Sequence, residues 1–207
     1  MKKFNKKDIK CLQDIMLARR DVRGNKFNNK KIKNKILNEL LTAANCAPSV
    51  GFSQPWKFVI IKSKNKRNKI YDNFQEENNK AKKKFKNKPL YNSLKLEGIK
   101  ESYLNIAVLY EKSEKNVLGQ TSQKKMGEYS VVCAIQNFWL MARTYNIGVG
   151  WVSILKPKRV KKILDIDKKY KLIAYLSVGY VDEFLDEPEL LKLGWSDKKT
   201  LDEIKVI

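Results

Sequence analysis

The stretch Gly148-Val149-Gly150-Trp151-Val152-Ser153-Ile154-Leu155 decides which fold the chain can form. It follows residues 126–145, a long apolar segment with a helical pattern, and it is itself typical of a strand. Its glycines are spaced as in the dinucleotide fingerprint, but that fingerprint needs the order strand, glycines, helix. Because the order here is helix, glycines, strand, a Rossmann site is excluded. Gly148 is interpreted as a left-handed residue that ends the helix.

Hydrophobic patterns predict the remaining elements of a chain of 207 residues, which is long enough for one domain, 1–207. Helices are predicted at 8–17, 31–46, 64–88 (with a loop), 90–101, 126–145 and 158–164, and strands at 56–61, 104–110, 148–155 and 171–180. Asp8 is the predicted N-cap of the first helix, and Pro48 stops the second. Residues 181–207 show turn signals without a core of their own. This tail is expected to wrap onto the core or onto a partner chain.

The charge of the chain is strongly positive. Forty-four Lys and Arg against 22 Asp and Glu give a net charge of +22, which suggests nucleic acid as a partner. Most of the excess is Lys mixed with Asn in segments such as 25–35, 62–69 and 80–88, a composition typical of solvated faces. We therefore expect no nucleic-acid partner. A basic nucleic-acid-binding protein or a flavin carrier stays as the non-enzymatic alternative.

Cysteine and histidine usage narrows the chemistry. Cys11, Cys46 and Cys133 are isolated and odd in number, which favours a reducing cytoplasm over a disulfide framework. No apolar stretch approaches the roughly 20 residues of a membrane span, so no membrane association is expected. The sequence contains 0 His, which excludes Ser-His-Asp and Cys-His catalysis and removes the commonest metal ligand. We expect no metal, and an enzyme built this way would depend on a cofactor.

The first candidate motif is Ala18-Arg19-Arg20-Asp21-Val22-Arg23, at a predicted helix end. Cations there can simply complement the helix dipole. However, three Arg in a Lys-dominated chain also suit phosphate binding, because a guanidinium fork makes paired contacts that an ammonium cannot. Asp21 is either the ion-pair partner of these arginines or a carboxylate that handles a proton.

The second candidate motif is Ala47-Pro48-Ser49-Val50-Gly51-Phe52-Ser53-Gln54-Pro55-Trp56. Its residues are small or amide-bearing and lie between two prolines that fix the path of the loop. The loop is either an ordinary connection or a set of backbone amides, with the Gln54 carboxamide, that binds the edge of an isoalloxazine ring. Near the tail, residues 194–199 include Lys198 and form either a solvated basic turn or a further phosphate contact.

In this order, these motifs and Leu94-Lys95-Leu96-Glu97-Gly98-Ile99 resemble the nitroreductase-like flavoprotein superfamily over roughly residues 8–204. Within it they resemble a flavin-fragmenting branch, since ordinary nitroreductases tend to have Ser where this chain has Asp21 and Asn where it has Phe52. The resemblance implies a homodimer of α+β subunits, each with a mixed, largely antiparallel sheet flanked by helices. Two FMN sites are then expected at the subunit interface.

The resemblance also implies roles for individual residues. Asp21 and Ser153 match catalytic positions, and Ser153 is expected to donate a hydrogen bond rather than act as a nucleophile. The residues implied in FMN binding are Arg19, Arg20, Arg23, Pro48, Ser49, Val50, Gly51, Gln54, Leu96, Gly150, Trp151 and Lys198. Pro48 to Gly51 are expected to come from the other subunit, and Leu96 lies in an expected lid. The tail departs from the family, which has Arg after Gly-Trp where this chain has Ser196 and Lys198.

The branch uses reduced FMN (FMNH2) as substrate rather than as a retained cofactor. The resemblance therefore implies that O2 and FMNH2 react to give 5,6-dimethylbenzimidazole, the lower ligand of cobalamin, and D-erythrose 4-phosphate. A separate NAD(P)H-flavin reductase is the expected transient partner that supplies FMNH2. The alternative is a nitroreductase-type NAD(P)H:FMN oxidoreductase that retains its flavin.

Overall fold

A four-stranded antiparallel sheet lies at the centre of the computed structural model, which describes residues 2–28 and 30–200. The strands are β1 (Trp56–Ile61), β2 (Leu104–Glu111), β3 (Ile147–Trp151) and β4 (Tyr170–Tyr180). They pair in the order β1-β2-β4-β3, so that β1 and β3 are the two edges. All four predicted strands are confirmed, although the third ends at Trp151 instead of residue 155.

Within the described ranges, seven α-helices accompany this sheet. They are α1 (Lys6–Ala18), α2 (Asn34–Asn45), α3 (Lys64–Lys84), α4 (Leu90–Ser93), α5 (Met126–Thr144), α6 (Pro157–Ile163) and α7 (Glu189–Lys192). Helices α2 and α5 pack together on one face of the sheet, and α3 and α6 cover the other face. The expected α+β fold, with a largely antiparallel sheet between helices, is confirmed.

Strand β2 is buried on both faces because helices cover the sheet on both sides. Ile106 and Val108 face the layer of α2 and α5, whereas Ala107 and Leu109 face the layer of α3 and α6. None of these four side chains is more than 1% exposed. A strand in such a position needs an unbroken apolar run instead of alternation, which is what the sequence provides.

The backbone of residues 21–22 lies alongside edge strand β3. The N–H of Val22 donates to the carbonyl of Val149 over 3.0 Å, and Asp21 forms a parallel bridge with Val149. Within residues 2–28 and 30–200, parallel pairing is confined to this bridge. Gly150 permits the close approach, because a Cβ there would lie 2.1 Å from the Val22 carbonyl oxygen. The edge of the sheet therefore fixes the Asp21 backbone.

Two helix ends differ from the predictions. The N-cap of α1 is Asn5 rather than Asp8, and Asp8 is the third helical residue of a capping box with Asn5. The left-handed residue after α5 is Asn146, with φ of 54°, rather than Gly148, which belongs to β3. Asparagine tolerates this conformation, so the helix end does not need Gly148, which pairs with Gly179 in the sheet.

The predicted helix at 90–101 is wrong beyond its first turn. Helix α4 ends at Ser93, and residues 94–98 have no regular secondary structure. The carboxylate of Glu97 accepts the N–H of Ile99 over 2.7 Å, a local bond that replaces helical pairing. The prediction for 64–88 is confirmed as one helix to Lys84 followed by a loop. Of the predicted tail, residues 201–207 lie outside the described residues.

We predict that Gly150→Ala destabilises the protein by about 3 kcal/mol, at the upper end of the usual cost of overpacking. The new Cβ would meet a backbone carbonyl, which cannot rotate away as a side chain can. Urea unfolding followed by circular dichroism measures the loss. Gly194→Ala is the control, because nothing lies within 4 Å of its Cβ and its φ of 68° should cost only about 1 kcal/mol. Equal effects of the two substitutions would contradict the prediction.

Candidate functional site

Arg20 is surrounded by backbone carbonyls of its own chain. Its guanidinium donates to the carbonyls of Leu17 at 2.6 Å and Leu185 at 2.9 Å, and also to that of Asp186. The bond to Leu17 satisfies a carbonyl at the end of α1, as the helix-end interpretation of this cluster requires. Any anion that binds Arg20 must therefore compete with the carbonyls of residues 185 and 186.

Asp21 has a fixed position and an altered acidity. Its Oδ1 accepts the N–H of Trp151 over 3.0 Å, and its Oδ2 forms an ion pair with Arg23. Burial raises the pKa of Asp21, and this effect outweighs the opposing influence of Arg23, the Trp151 N–H and Arg19. The carboxylate is thus both an ion-pair partner and a group that retains a proton to higher pH than an exposed Asp.

Arg19 points toward α5 rather than toward Asp21. Its guanidinium carbon lies 5.3 Å from the ring centroid of Trp139, a cation-π geometry. The indole N–H of Trp139 donates to the Arg20 carbonyl over 3.1 Å. Helix α5 therefore holds this segment from one side while β3 holds it from the other.

The tail closes the space beside Asp21. Residues 183–185 and Glu189 line a cavity together with Arg20, Asp21, Arg23 and Lys26. The cavity measures about 20 Å³, enough for about one water molecule. Lys26 forms an ion pair with Glu183, which fastens the tail over the cluster. A tricyclic ring has no room here while the tail keeps this position.

The loop between α2 and β1 has a left-handed backbone at three residues, two of which are not glycine. Gly51, Phe52 and Gln54 have φ of 54°, 51° and 43°, values rare for residues other than glycine. The hydroxyl of Ser49 accepts the Gln54 N–H, and the hydroxyl of Ser130 accepts the Val50 N–H. Such strain in a loop is typical of ligand-binding sites.

The same loop has two features that suit a ligand. The Ser53 hydroxyl oxygen is buried without a hydrogen-bond partner among the described residues. Phe52 is 82% exposed, and Pro48 is exposed as well. A polar group without a partner and an exposed aromatic ring at one loop point to a contact from outside the chain.

Within one chain, the structure does not bring the two candidate motifs together. The loop leads into Trp56 of β1, whereas Asp21 is bridged to β3, and these strands are the opposite edges of the sheet. Three strand spacings separate the edges, a distance of about 14 Å. One flavin ring cannot touch both motifs of the same subunit along the sheet.

The other predicted residues divide between this edge and the surface. Gly150 and Trp151 contact the backbone or side chain of residues 21–22 directly. Ser153 is exposed just after β3, and Leu96 is half-buried against the core layer of α3 and α6. Lys198 is exposed beyond α7. The structure thus places Gly150 and Trp151, but not Lys198, at Asp21.

Residues 94–99 were expected at the site only as a lid, and sequence reasoning missed their contact with the backbone that follows Arg23. The Gly24 N–H donates to the Glu97 carbonyl over 2.8 Å, and a Cβ on Gly24 would lie 2.8 Å from Lys95. Glu97 is only 2% exposed. The available signal was a charged pair, Lys95 and Glu97, inside an apolar run that ends in Gly98.

The fold is that of an α+β protein with an antiparallel sheet, and one edge of the sheet holds a carboxylate paired with an arginine. The profile of the Nitroreductase family matches residues 16–180. The chain therefore belongs to the nitroreductase family.

One similar protein is the 5,6-dimethylbenzimidazole synthase of Rhodospirillum rubrum, which is 39% identical over 91% of this chain and 90% of its own length. A solved BluB-like flavoprotein from Clostridium difficile 630 has a TM-score of 0.71 at 22% identity, with 95% of this chain and 98% of that chain covered. A structure of iodotyrosine deiodinase bound to FMN and 3-iodo-L-tyrosine has a TM-score of 0.67 at 23% identity, covering 84% and 91%. The two structures support the fold.

No helix in residues 2–28 and 30–200 is long and apolar enough to cross a bilayer. No group of three or more His, Cys, Asp or Glu side chains there is arranged to hold a metal ion.

We predict that Asp21→Asn changes stability in a pH-dependent way. Because burial raises the folded-state pKa above the ordinary value of 3.8, the folded protein binds this proton more tightly than the unfolded chain. The stabilisation is fully present below the unfolded pKa and is lost as the pH rises through the folded pKa. The free energy of unfolding, wild type minus variant, should fall in urea titrations as the pH rises above the ordinary Asp value of 3.8. A difference that rises over this range would contradict the assignment.

Proposed function

We propose that this chain is a 5,6-dimethylbenzimidazole synthase that uses reduced FMN and O2 as substrates. The reaction fragments the flavin to 5,6-dimethylbenzimidazole, the lower ligand of cobalamin, and D-erythrose 4-phosphate. The observation that carries the proposal is the half-buried Asp21 carboxyl, whose pKa is raised and which is paired with Arg23. The Rhodospirillum rubrum relative that bears this name, 39% identical over 91% of the chain, supports it.

The three arginines are the proposed ligands for the phosphate and the polar ring edge of FMN. Guanidinium groups make paired hydrogen bonds to phosphate and carbonyl oxygens, which suits both ends of such a ligand. Arg23 already pairs with Asp21, Arg19 lies near enough to lower the pKa of Asp21, and Arg20 would exchange the carbonyls of residues 185 and 186 for the ligand. Movement of the tail is therefore part of the proposal.

Asp21 is the proposed proton-handling group. Trp151 anchors its Oδ1, so that Oδ2 is the atom that can gain or release a proton. Burial moves its pKa toward the working pH, as general acid-base catalysis requires. Ser153 is proposed to donate a hydrogen bond to oxygen or to the ring, because the chain has 0 His to activate a nucleophile.

The flavin site is proposed to form between two copies of the chain. The strained loop offers the right groups, namely backbone amides, the Gln54 carboxamide and the Ser53 hydroxyl without a partner. It lies at the sheet edge opposite Asp21, so a partner subunit has to supply it. The loop residues assigned to this contact are Pro48, Ser49, Val50, Gly51 and Gln54. Gly150 and Trp151, from the Asp21 side, complete the proposed FMN site together with Leu96 and Lys198.

Exposed apolar side chains support the homodimer. On α5, Tyr129 and Val132 are 52% and 41% exposed, although most of this helix is buried. Helix α1 has no buried side chain, and its apolar residues Leu12 and Met16 are about half exposed. Apolar surface on consecutive turns of two contacting helices is typical of a subunit interface.

Each turnover consumes one reduced flavin, so the proposal includes a separate NAD(P)H-flavin reductase as transient partner. The three cysteines are free and exposed in the described part of the chain, which suits a reducing cytoplasm. The alternative function is a nitroreductase-type NAD(P)H:FMN oxidoreductase that keeps its flavin, and membership of the nitroreductase family favours it.

We predict that the purified protein, mixed with chemically reduced FMN in air, converts the flavin to 5,6-dimethylbenzimidazole. Chromatography with mass detection measures the product, and absorbance at the flavin band measures flavin loss. One product molecule per flavin lost supports the synthase. Flavin that survives repeated cycles of NAD(P)H oxidation supports the alternative and rejects the synthase.

Asp21→Asn is the matched variant for this assay. It keeps the size of the side chain and the acceptor for the Trp151 N–H, but it removes the charge and the proton. Flavin should still bind, and product formation should fall by at least about a hundredfold, as is usual for loss of a general acid or base. Full activity in this variant would reduce Asp21 to an ion-pair partner.

We predict that the protein sediments as a dimer and that Val132→Glu converts it to a monomer which no longer binds FMN. A carboxylate on this exposed apolar position would be buried without a partner in the interface. Analytical ultracentrifugation measures the mass. Leu193→Glu is the control, because Leu193 is 44% exposed in the tail and away from α5. A monomeric wild-type protein that binds FMN would contradict the shared site.

A further inference from the structure

Glu97 is a buried carboxylate with well-defined partners. It is only 2% exposed, and its Oε1 lies 2.7 Å from the Nζ of Lys95. Its Oε2 accepts the N–H of Ile99 over 2.7 Å. The ammonium of Lys95 also contacts Glu101 at 2.9 Å, so that one cation holds two carboxylates. A buried charge is costly unless such partners compensate it, so this arrangement calls for an explanation.

The ionic cluster of Lys95, Glu97 and Glu101 is centred on the lysine. Burial lowers the pKa of Lys95, but hydrogen bonds to Glu97 and Glu101 more than reverse this, and the pKa is raised overall. The second oxygen of Glu101 is buried without a hydrogen bond among the described residues. The cluster is therefore held together by a lysine that stays protonated.

This cluster packs directly on the backbone of Gly24. A Cβ on Gly24 would lie 2.7 Å from Glu101 and 2.8 Å from Lys95. The Gly24 N–H donates to the Glu97 carbonyl over 2.8 Å. Gly98 also packs against Gly24, since a Cβ added at Gly98 would lie 3.2 Å from the Gly24 Cα. Two backbones thus meet at two glycines, and the ionic side chains fix how they meet.

Gly24 directly follows Arg23, the arginine that pairs with Asp21. The Arg23 side chain is only 14% exposed and its guanidinium is paired with Asp21, so a shift of its backbone would have to disturb this packing. The cluster fixes the peptide unit after Arg23, and β3 fixes the segment before it through Val22. Arg23 is therefore held between two anchors, one of which is Glu97.

We propose that Glu97 is a positioning residue that sets the placement of the Arg23 guanidinium for flavin binding, acting through Lys95, Ile99 and the backbone of Gly24. The inference rests on the proposed FMN site. Glu97 touches no flavin atom in this scheme. Its effect on the ligand passes through Arg23 alone, and this gives the proposal a specific signature.

A double-mutant cycle tests the signature, with the full chain and oxidised FMN as the probe. Flavin fluorescence titrations give the Kd of wild type, Glu97→Gln, Arg23→Gln and the double variant. Glu97→Gln loses the ion pair to Lys95 but can still accept the Ile99 N–H, so the fold should survive. We expect it to weaken FMN binding about tenfold, a modest result of misplacing one contact. In the Arg23→Gln background its effect should drop to less than about twofold, because groups acting as one unit are not additive.

Two control measurements separate positioning from a general structural role. In the Arg19→Gln background, Glu97→Gln should keep its about tenfold effect, since Arg19 is held by Trp139 and not by Gly24. Glu77→Gln removes a Lys–Glu pair of 2.6 Å on α3 and should leave the Kd unchanged. Additive effects with Arg23, or no effect of Glu97→Gln, would overturn the proposal.

A second variant tests the proposal if Glu97→Gln does not fold. Glu101→Gln removes the more exposed carboxylate, at 36% side-chain exposure, and leaves the Lys95–Glu97 pair in place. It should weaken FMN binding less than tenfold and show the same dependence on Arg23. If it binds FMN as the wild type does, the proposal is overturned. A wild-type protein that binds no FMN rejects the proposed function itself, which is a different result from an unaffected variant.

Discussion

The attachment of residues 21–22 to edge strand β3 is the interaction on which the rest of the site depends. Edge strands leave backbone groups unpaired, and here the Val22 N–H and the Asp21 carboxylate use the Val149 carbonyl and the Trp151 N–H. The contact satisfies the edge and at the same time orients an acidic side chain. Gly150 is required because the Val22 carbonyl lies where any Cβ would be. A structural need of the sheet thus supports the placement of Asp21.

Burial and pairing act in opposite directions on the charged groups around Asp21, and burial wins at Asp21 itself. Arg23 and a backbone N–H favour its charged form, yet desolvation keeps its pKa raised. For Lys95 the balance is reversed, since two carboxylates outweigh its burial. Of these two groups, only Asp21 has its pKa moved toward neutral pH, which is the direction that acid-base chemistry needs.

Much of the fold could be predicted from apolar runs, because strands buried on both faces and helices under a core leave strong patterns. The failure of the helix prediction at 90–101 has a physical cause. Charged side chains of residues 94–101 pair with each other, and the Glu97 carbonyl accepts the N–H of Gly24 instead of a helical N–H. Gly148 was misinterpreted because Asn146 takes the left-handed position. The local sequence pattern shows which residues prefer turns, but it does not show which distant part of the backbone packs against those residues. Likewise, Arg20 could be identified as a site residue, but not its carbonyl partners 165 and 166 positions away.

The geometry of the sheet favours the proposed site between two subunits over a site within one chain. The loop at 48–55 and the cluster around Asp21 occupy opposite edges, and the space beside Asp21 holds about one water in the single chain. Enlarging that space requires moving residues 183–189, whose contacts are carbonyl groups, an ion pair and the ring of Phe184 against Arg143, and not an apolar core. Contacts of this kind are individually weak, so a ligand with a phosphate and a ring could replace them. The tail is thus fastened firmly enough to cover the arginines and loosely enough to release them.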